Sequence, residues 1–133
     1  VAETRYGLYV DQLALNEEPG GEGQFRGGRG IGLDYRVRKD GCFLTAAYTR
    51  YKHKPWPLAG GQAGSKNCVQ VIRSTGEQEE YAVVTALNVN KDDVIRIRTA
   101  NGAGYGPPEC RSPAQRQRDE MNGFSRGKAQ SEN

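Results

Sequence analysis

Apolar and polar residues alternate with a period of two along most of this chain, which is the pattern of half-buried strands. The clearest run is Ile31, Leu33, Tyr35 and Val37, with Gly32, Asp34, Arg36 and Arg38 between them. Upstream, Tyr6, Leu8 and Val10 alternate, and Leu13 and Leu15 resume after one extra residue. That spacing predicts a bulged strand entering from the first few residues. Lys39-Asp40-Gly41 carries the Asp-Gly pair of a hairpin turn, so residues 42–51 are expected to pair antiparallel with residues 31–37. Residues 69–73 read as another strand, and Gly76 with the three acidic residues within 77–80 as a turn. Residues 81–87 and 94–99 complete the strands, with Ile95 and Ile97 facing inward.

Three stretches break the alternation. Residues 16–30 and 101–108 are dense in glycine, which implies tight reversals or close backbone contacts. Residues 52–67 hold His53-Lys54-Pro55-Trp56-Pro57, whose prolines exclude a central strand or a helix interior. This loop carries the only Trp and the only His, and is the segment best suited to contact something else. Ser112-Pro113-Ala114-Gln115 is a helix start, with Ser as cap, Pro in the first turn and Gln three residues on. The helix should run to about Asn122 and stop at Gly123. The fold class expected is mainly β: antiparallel sheets in a sandwich or barrel-like domain with Gly/Pro-rich loops and one short C-terminal helix. The divisions are a β domain over 1–111, the helix over 112–124 and a flexible tail over 125–133.

Composition sharpens this picture. With 133 residues the chain suits one domain, but only 35% of them are hydrophobic, against 18 Gly and 6 Pro. A core that lean favours docking against something larger. The net charge of +3 arises from 19 basic and 16 acidic residues mixed throughout, too weak a bias to require nucleic acid or an anionic membrane. No apolar run approaches the length of a membrane helix and no leader pattern stands at the start, so the expected compartment is the cytoplasm.

Candidate chemistry is sparse. Cys42, Cys68, Cys110 and His53 form the inventory of a closed zinc site, although none sits in a paired ligand motif, so a structural zinc needs all four to converge. The alternative is ordinary buried cysteines with His53 in an interface. No nucleophile elbow or orienting third group accompanies these residues, and Asp92-Asp93 and Glu79-Glu80 read as solvated turns. Phe25-Arg26-Gly27-Gly28-Arg29-Gly30 admits an RGG-type RNA-binding reading, but in a single copy between two strands. It is not a phosphate loop, since the Lys-Ser/Thr pair is absent.

Three elements in order resemble the hydantoinase B family, the B-type subunits of hydantoinases, oxoprolinases and ATP-dependent ketone carboxylases. Gly21 to Tyr35, GEGQFRGGRGIGLDY, is similar to a glycine–arginine stretch of those proteins. His53-Lys-Pro-Trp-Pro-Leu-Ala-Gly-Gly61 matches their Pro-Trp loop, with Pro57 where glycine is usual. Arg96 to Pro108, RIRTANGAGYGPP, matches their GYGDP element, with Pro107 in place of its Asp. Family members are several times longer, and the likeness is to their last portion. The resemblance implies a small accessory subunit of an ATP-dependent ketone carboxylase complex, of the kind that converts acetophenone to benzoylacetate. The other implied role is an accessory subunit of a hydantoin- or oxoproline-type hydrolase. ATP and Mg or Mn would then belong to larger partner subunits, and this chain alone would not be catalytic. Arg26, His53, Trp56 and Tyr105 are the residues expected at the partner interface.

Overall fold

The structure is a computed structural model that describes residues 2–124; the tail expected over 125–133 lies outside the described residues. The elements are α1 (Ala2–Arg5), β1 (Leu8–Leu15), β2 (Ile31–Val37), β3 (Cys42–Ala47), β4 (Cys68–Ile72), β5 (Gln78–Tyr81), β6 (Val83–Val89), β7 (Val94–Arg98), a 3-10 turn (Pro108–Cys110) and α2 (Pro113–Met121). They fall into two compact units, each assembled from separated segments. The first comprises Val1–Glu17, Gly30–Lys54 and Lys66–Ala100; the second comprises Glu18–Arg29, Pro55–Ser65 and Asn101–Asn133.

Among the described residues, all seven strands lie in the first unit. Five form an antiparallel sheet in the order β1-β2-β7-β4-β5, and β3 pairs with β6 in a separate two-stranded sheet. The architecture is therefore mainly β with two antiparallel sheets, not closed into a barrel. Register explains the inner face of the large sheet. Leu33 pairs with Ile97 and Ile97 with Val69, while Tyr35 pairs with Ile95 and Ile95 with Val71. Of these, Tyr35, Ile95, Ile97, Val69 and Val71 join Val37 in one core cluster with Val89, Leu44, Ala46 and Leu87 of the small sheet. The fully buried apolar residues are mostly valines, so the core is as lean as the composition implies.

The opposite face is polar, and its row is equally regular: Asp34, Arg96, Gln70 and Glu80 stand in register across β2, β7, β4 and β5. Arg96 donates to both oxygens of Asp34, and Arg98 adds a bond of 2.8 Å. Burial opposes ionisation of Asp34, but the bonds from Arg96 and Arg98 outweigh it and hold its pKa below the usual carboxylate range. At the far edge, Lys66 donates to Glu80 at 2.7 Å and Gln70 at 3.2 Å. The hydrogen bond from Lys66 leads in pulling the Glu80 pKa down to about 2.

Three local expectations are corrected. Residues 42–51 do not form a hairpin with β2. Gly41, at φ 71°, instead turns the chain out of the large sheet and into the small one. The corner is held because Asp40 accepts from the Lys91 amide and Asn90 accepts from the Gly41 amide. The acidic stretch is a strand, β5, rather than a turn, because Glu79 pairs with Arg73 and Glu80 with Lys66 across the β4 edge. The first residues form α1 rather than leading into β1, and Glu3 accepts the Val10 amide at 2.8 Å. The bulge itself falls between Val10 and Gln12 as the sequence predicts. Beyond it, residues 11–15 of β1 are all exposed, Leu13 at 67%.

Candidate functional site

The second unit is built from three glycine-rich segments and α2. Its segments approach more closely than any side chain allows. A Cβ on Gly27 would stand 1.9 Å from the Gly102 carbonyl oxygen, and one on Gly104 would stand 2.0 Å from that of Glu22. Backbone bonds fill the same space: Gly21 donates to Gly102, Gly102 to Gly28, Gln62 to Glu22 and Gly104 to Gln62, at 2.7–2.9 Å. Asn101 pins the crossing with 0% exposure, donating from its amide to Ser65 Oγ and from Nδ2 to the Glu18 carbonyl. The glycines here serve close approach, the second of the two readings that the sequence allowed.

Two surfaces result. One is aromatic. Phe25 and Tyr105 exchange backbone bonds and bring their rings to 6.2 Å, and Leu58 bridges Tyr105 on its other side. All three side chains are exposed, as is Trp56 at 62%. The other surface is cationic. Ser112 caps α2 in a full capping box with Gln115, and Pro113 opens the first turn. Gly123 closes the helix at φ 67°. So anchored, α2 presents Asp119 to Arg111, whose Nε and Nη2 take its two oxygens at 2.8 and 3.1 Å. Arg26 lies 3.7 Å from the same carboxylate, donates to the Phe124 carbonyl and covers the Phe124 ring at 5.2 Å. Arg111 Nη1 reaches the Gln24 carbonyl at 2.8 Å, tying α2 to the glycine segment.

The Arg26–Asp119–Arg111 cluster forms a wall shared by two grooves. One, of about 450 Å³, is lined by Arg26, Arg111 and Arg116 and by Glu22, Glu109, Asp119 and Glu120, so its carboxylates outnumber its arginines by one. The other, of about 400 Å³, gathers Arg26, Arg29, Arg111 and Arg118 with Asp119 as its only carboxylate.

The sequence-predicted site residues scatter. Cys42 opens β3 and donates weakly to the Lys39 carbonyl; Cys68 opens β4, buried; Cys110 is exposed in the 3-10 turn; His53 is exposed in the loop after β3. Among the described residues no group of three or more His, Cys, Asp or Glu is placed to hold a metal. The four expected zinc ligands, Cys42, His53, Cys68 and Cys110, form no such group among the described residues. Burial leads in pushing the Cys68 thiol up to about 11, which keeps it protonated at neutral pH. Of the four expected interface residues, Trp56, Tyr105 and His53 are exposed, whereas Arg26 is largely buried in its ion pair. Arg111, Asp119 and Arg118 were not legible as site residues. Their signal is a helix polar on all sides, which needs charged partners to be stable.

Fold and site together define an antiparallel β module with glycine-woven loops. The chain belongs to the hydantoinase B/oxoprolinase family, whose sequence model matches residues 1–108. Relatives include an uncharacterized protein of Methanocaldococcus jannaschii, 32% identical over 108 residues, with 81% of this chain and 19% of that one aligned. A 5-oxoprolinase of Dictyostelium discoideum is 24% identical over 106 residues, covering 80% of this chain and 8% of its own length. Among solved structures, the ATP-dependent caprolactamase of Pseudomonas jessenii superposes with a TM-score of 0.75 at 25% identity, over 92% of this chain and 22% of that one. A nucleotide-free acetone carboxylase shares the fold with a TM-score of 0.69 at 19% identity, over 92% of this chain and 20% of that one. The chain therefore spans about a fifth or less of the relatives it matches. Among the described residues no helix is long and apolar enough to cross a membrane.

Proposed function

We propose that this chain is a non-catalytic module of an ATP-dependent enzyme that opens a cyclic amide, and that it works docked against the remainder of a hydantoinase B-type protein. The observation that carries this reading is the likeness to a caprolactamase over nearly the whole chain, together with 5-oxoprolinases among the relatives. Both names describe lactam hydrolysis, which favours that chemistry over the ketone carboxylation expected for an acetophenone carboxylase subunit. The docking part draws on the small share of each relative covered and on the exposed Leu13, Phe25, Leu58, Trp56 and Tyr105. Nucleotide and its Mg or Mn are assigned to the larger partner portion.

The test is substrate-stimulated ADP release by the assembled enzyme. Caprolactam or 5-oxoproline should stimulate ADP release with ring opening. Stimulation by acetophenone plus bicarbonate alone would replace this reading with the carboxylase one.

A further inference from the structure

We infer that the free edge of β1 takes up an extended strand from the rest of a hydantoinase B-type protein, paired to the backbone of Leu13 and Leu15. The inference rests on the docking proposed above and supplies its mode. Alternate residues of an edge strand turn their amides and carbonyls away from the sheet. Which residues do so in β1 follows from its neighbour. Ile31 donates to Thr99 Oγ1 at 2.8 Å and accepts from the Thr99 amide at 2.9 Å, so its backbone faces the β7 side. Leu15, opposite Ile31, and Leu13, opposite Leu33, therefore face the open edge. Val10 faces it too, but the Glu3 carboxylate takes its amide. Arg38 holds α1 there by donating to the Glu3 carbonyl, so the first half of the edge is closed. Past the bulge that cover ends. Among the described residues, nothing pairs with the outer backbone of Leu13 or Leu15.

The side chains define the strand that fits. Leu13 ends the inner-face row that runs through Leu33 and Ile97 to the buried Val69, and Leu15 stands opposite Ile31. Leu13, Leu15 and Ile31 are all exposed, so this apolar face continues to the rim of the sheet with nothing beyond it. A strand added here extends the row with an apolar residue beside each leucine and polar residues between them. The other edge of the same sheet is finished differently. β5 has only four residues, and its Glu79 and Glu80 are each held by a cation, a short charged edge that discourages pairing. One edge is blunted, while the other is long, apolar and open. Most of the length of the relatives lies outside the part that this chain matches, and the rest of such a protein is the source of the strand.

Amide hydrogen exchange of the full chain, alone and in complex with the remaining portion of the protein, tests this mode. In the chain alone, Leu13 and Leu15 should exchange at close to the unprotected rate, while Gln12 and Ala14, turned toward β2, are slow. In the complex, Leu13 and Leu15 should slow by about 100-fold or more. Leu13→Pro removes one outward donor at a position that an edge strand tolerates. It should weaken the complex about tenfold more than Leu13→Ala does. A complex in which Leu13 and Leu15 still exchange freely, or in which the proline and alanine variants bind alike, would overturn strand addition and leave the docking standing. Absence of any complex would remove the docking and this mode with it. Protection of both amides in the chain alone, rising with concentration, would assign the edge to a second copy and overturn the inference.

Discussion

Gly27→Ala is expected to unfold the second unit, while Gly28→Ala, one residue along, leaves stability essentially unchanged. The new methyl at position 27 would lie 1.9 Å from the Gly102 carbonyl oxygen and 2.4 Å from its carbon. Both are backbone atoms, so no rotamer change can relieve the overlap. The segments must separate, and with them goes the bond from the Gly102 amide to the Gly28 carbonyl. Such an overlap belongs to the mechanisms that cost about 4 kcal/mol or more. At position 28 the methyl meets nothing within 4 Å, and the backbone is not in the left-handed region. The expected change there is within about 0.5 kcal/mol. Thermal unfolding of the two variants side by side, followed by the Gly102 amide signal, separates them. Equal stability would mean that the segments are not interwoven in this way.

Asp93→Ala should be the most damaging change of a charged residue in the first unit. Asp93 is 3% exposed and accepts from the Ser74 amide at 2.9 Å, the Asn90 amide at 3.0 Å and Arg73 Nη1 at 3.0 Å. Its removal leaves three donors without their acceptor at the corner that joins β6 to β7. The expected loss is about 2–4 kcal/mol, with Asp93→Asn intermediate. The same residue predicts the acid response. Burial opposes ionisation of Asp93, but the bonds from Asn90, Ser74 and Arg73 prevail and lower its pKa. Asp34 is lowered as well, and Glu80 to about 2. Groups with depressed folded pKa values contribute stability above the ordinary carboxyl range and lose it as pH falls through the folded values. Wild type should therefore unfold progressively below about pH 4. Asp93→Ala, measured by denaturant titration across that window, should lose stability with a slope shallower by up to one proton. An unchanged slope would show that Asp93 does not titrate with folding.

These effects also mark what the sequence could and could not convey. The alternation from Ile31 to Val37 and the Ser112–Gln115 cap are local signals, and both elements form where expected. Strand partnership is not local. Asp40-Gly41 is a good hairpin pair, but the side chains of Asp40 and Asn90 fasten it to the loop before β7, and β3 follows into the second sheet. The charged β5 lacked the apolar alternation of a strand because its adjacent glutamates are satisfied one on each face, Glu79 by Arg73 and Glu80 by Lys66 and Gln70. Trp56 and Tyr105 were legible as surface residues because they sit among prolines and glycines, yet Phe25 and Leu58 join them only through pairing at Tyr105. The arginine groove was hidden for the same reason: Arg26 and Asp119 are far apart in sequence and meet only when the glycine segments cross.

In the docking proposed above, this module meets the rest of a hydantoinase B-type protein through its exposed apolar residues. Sedimentation velocity of the chain mixed with that remaining portion tests it most directly. A one-to-one complex is expected, weakened by Trp56→Ala by about 2 kcal/mol, near 30-fold in Kd, and also weakened by Leu13→Lys. A chain that sediments alone beside its partner portion, or a complex indifferent to both substitutions, would contradict it.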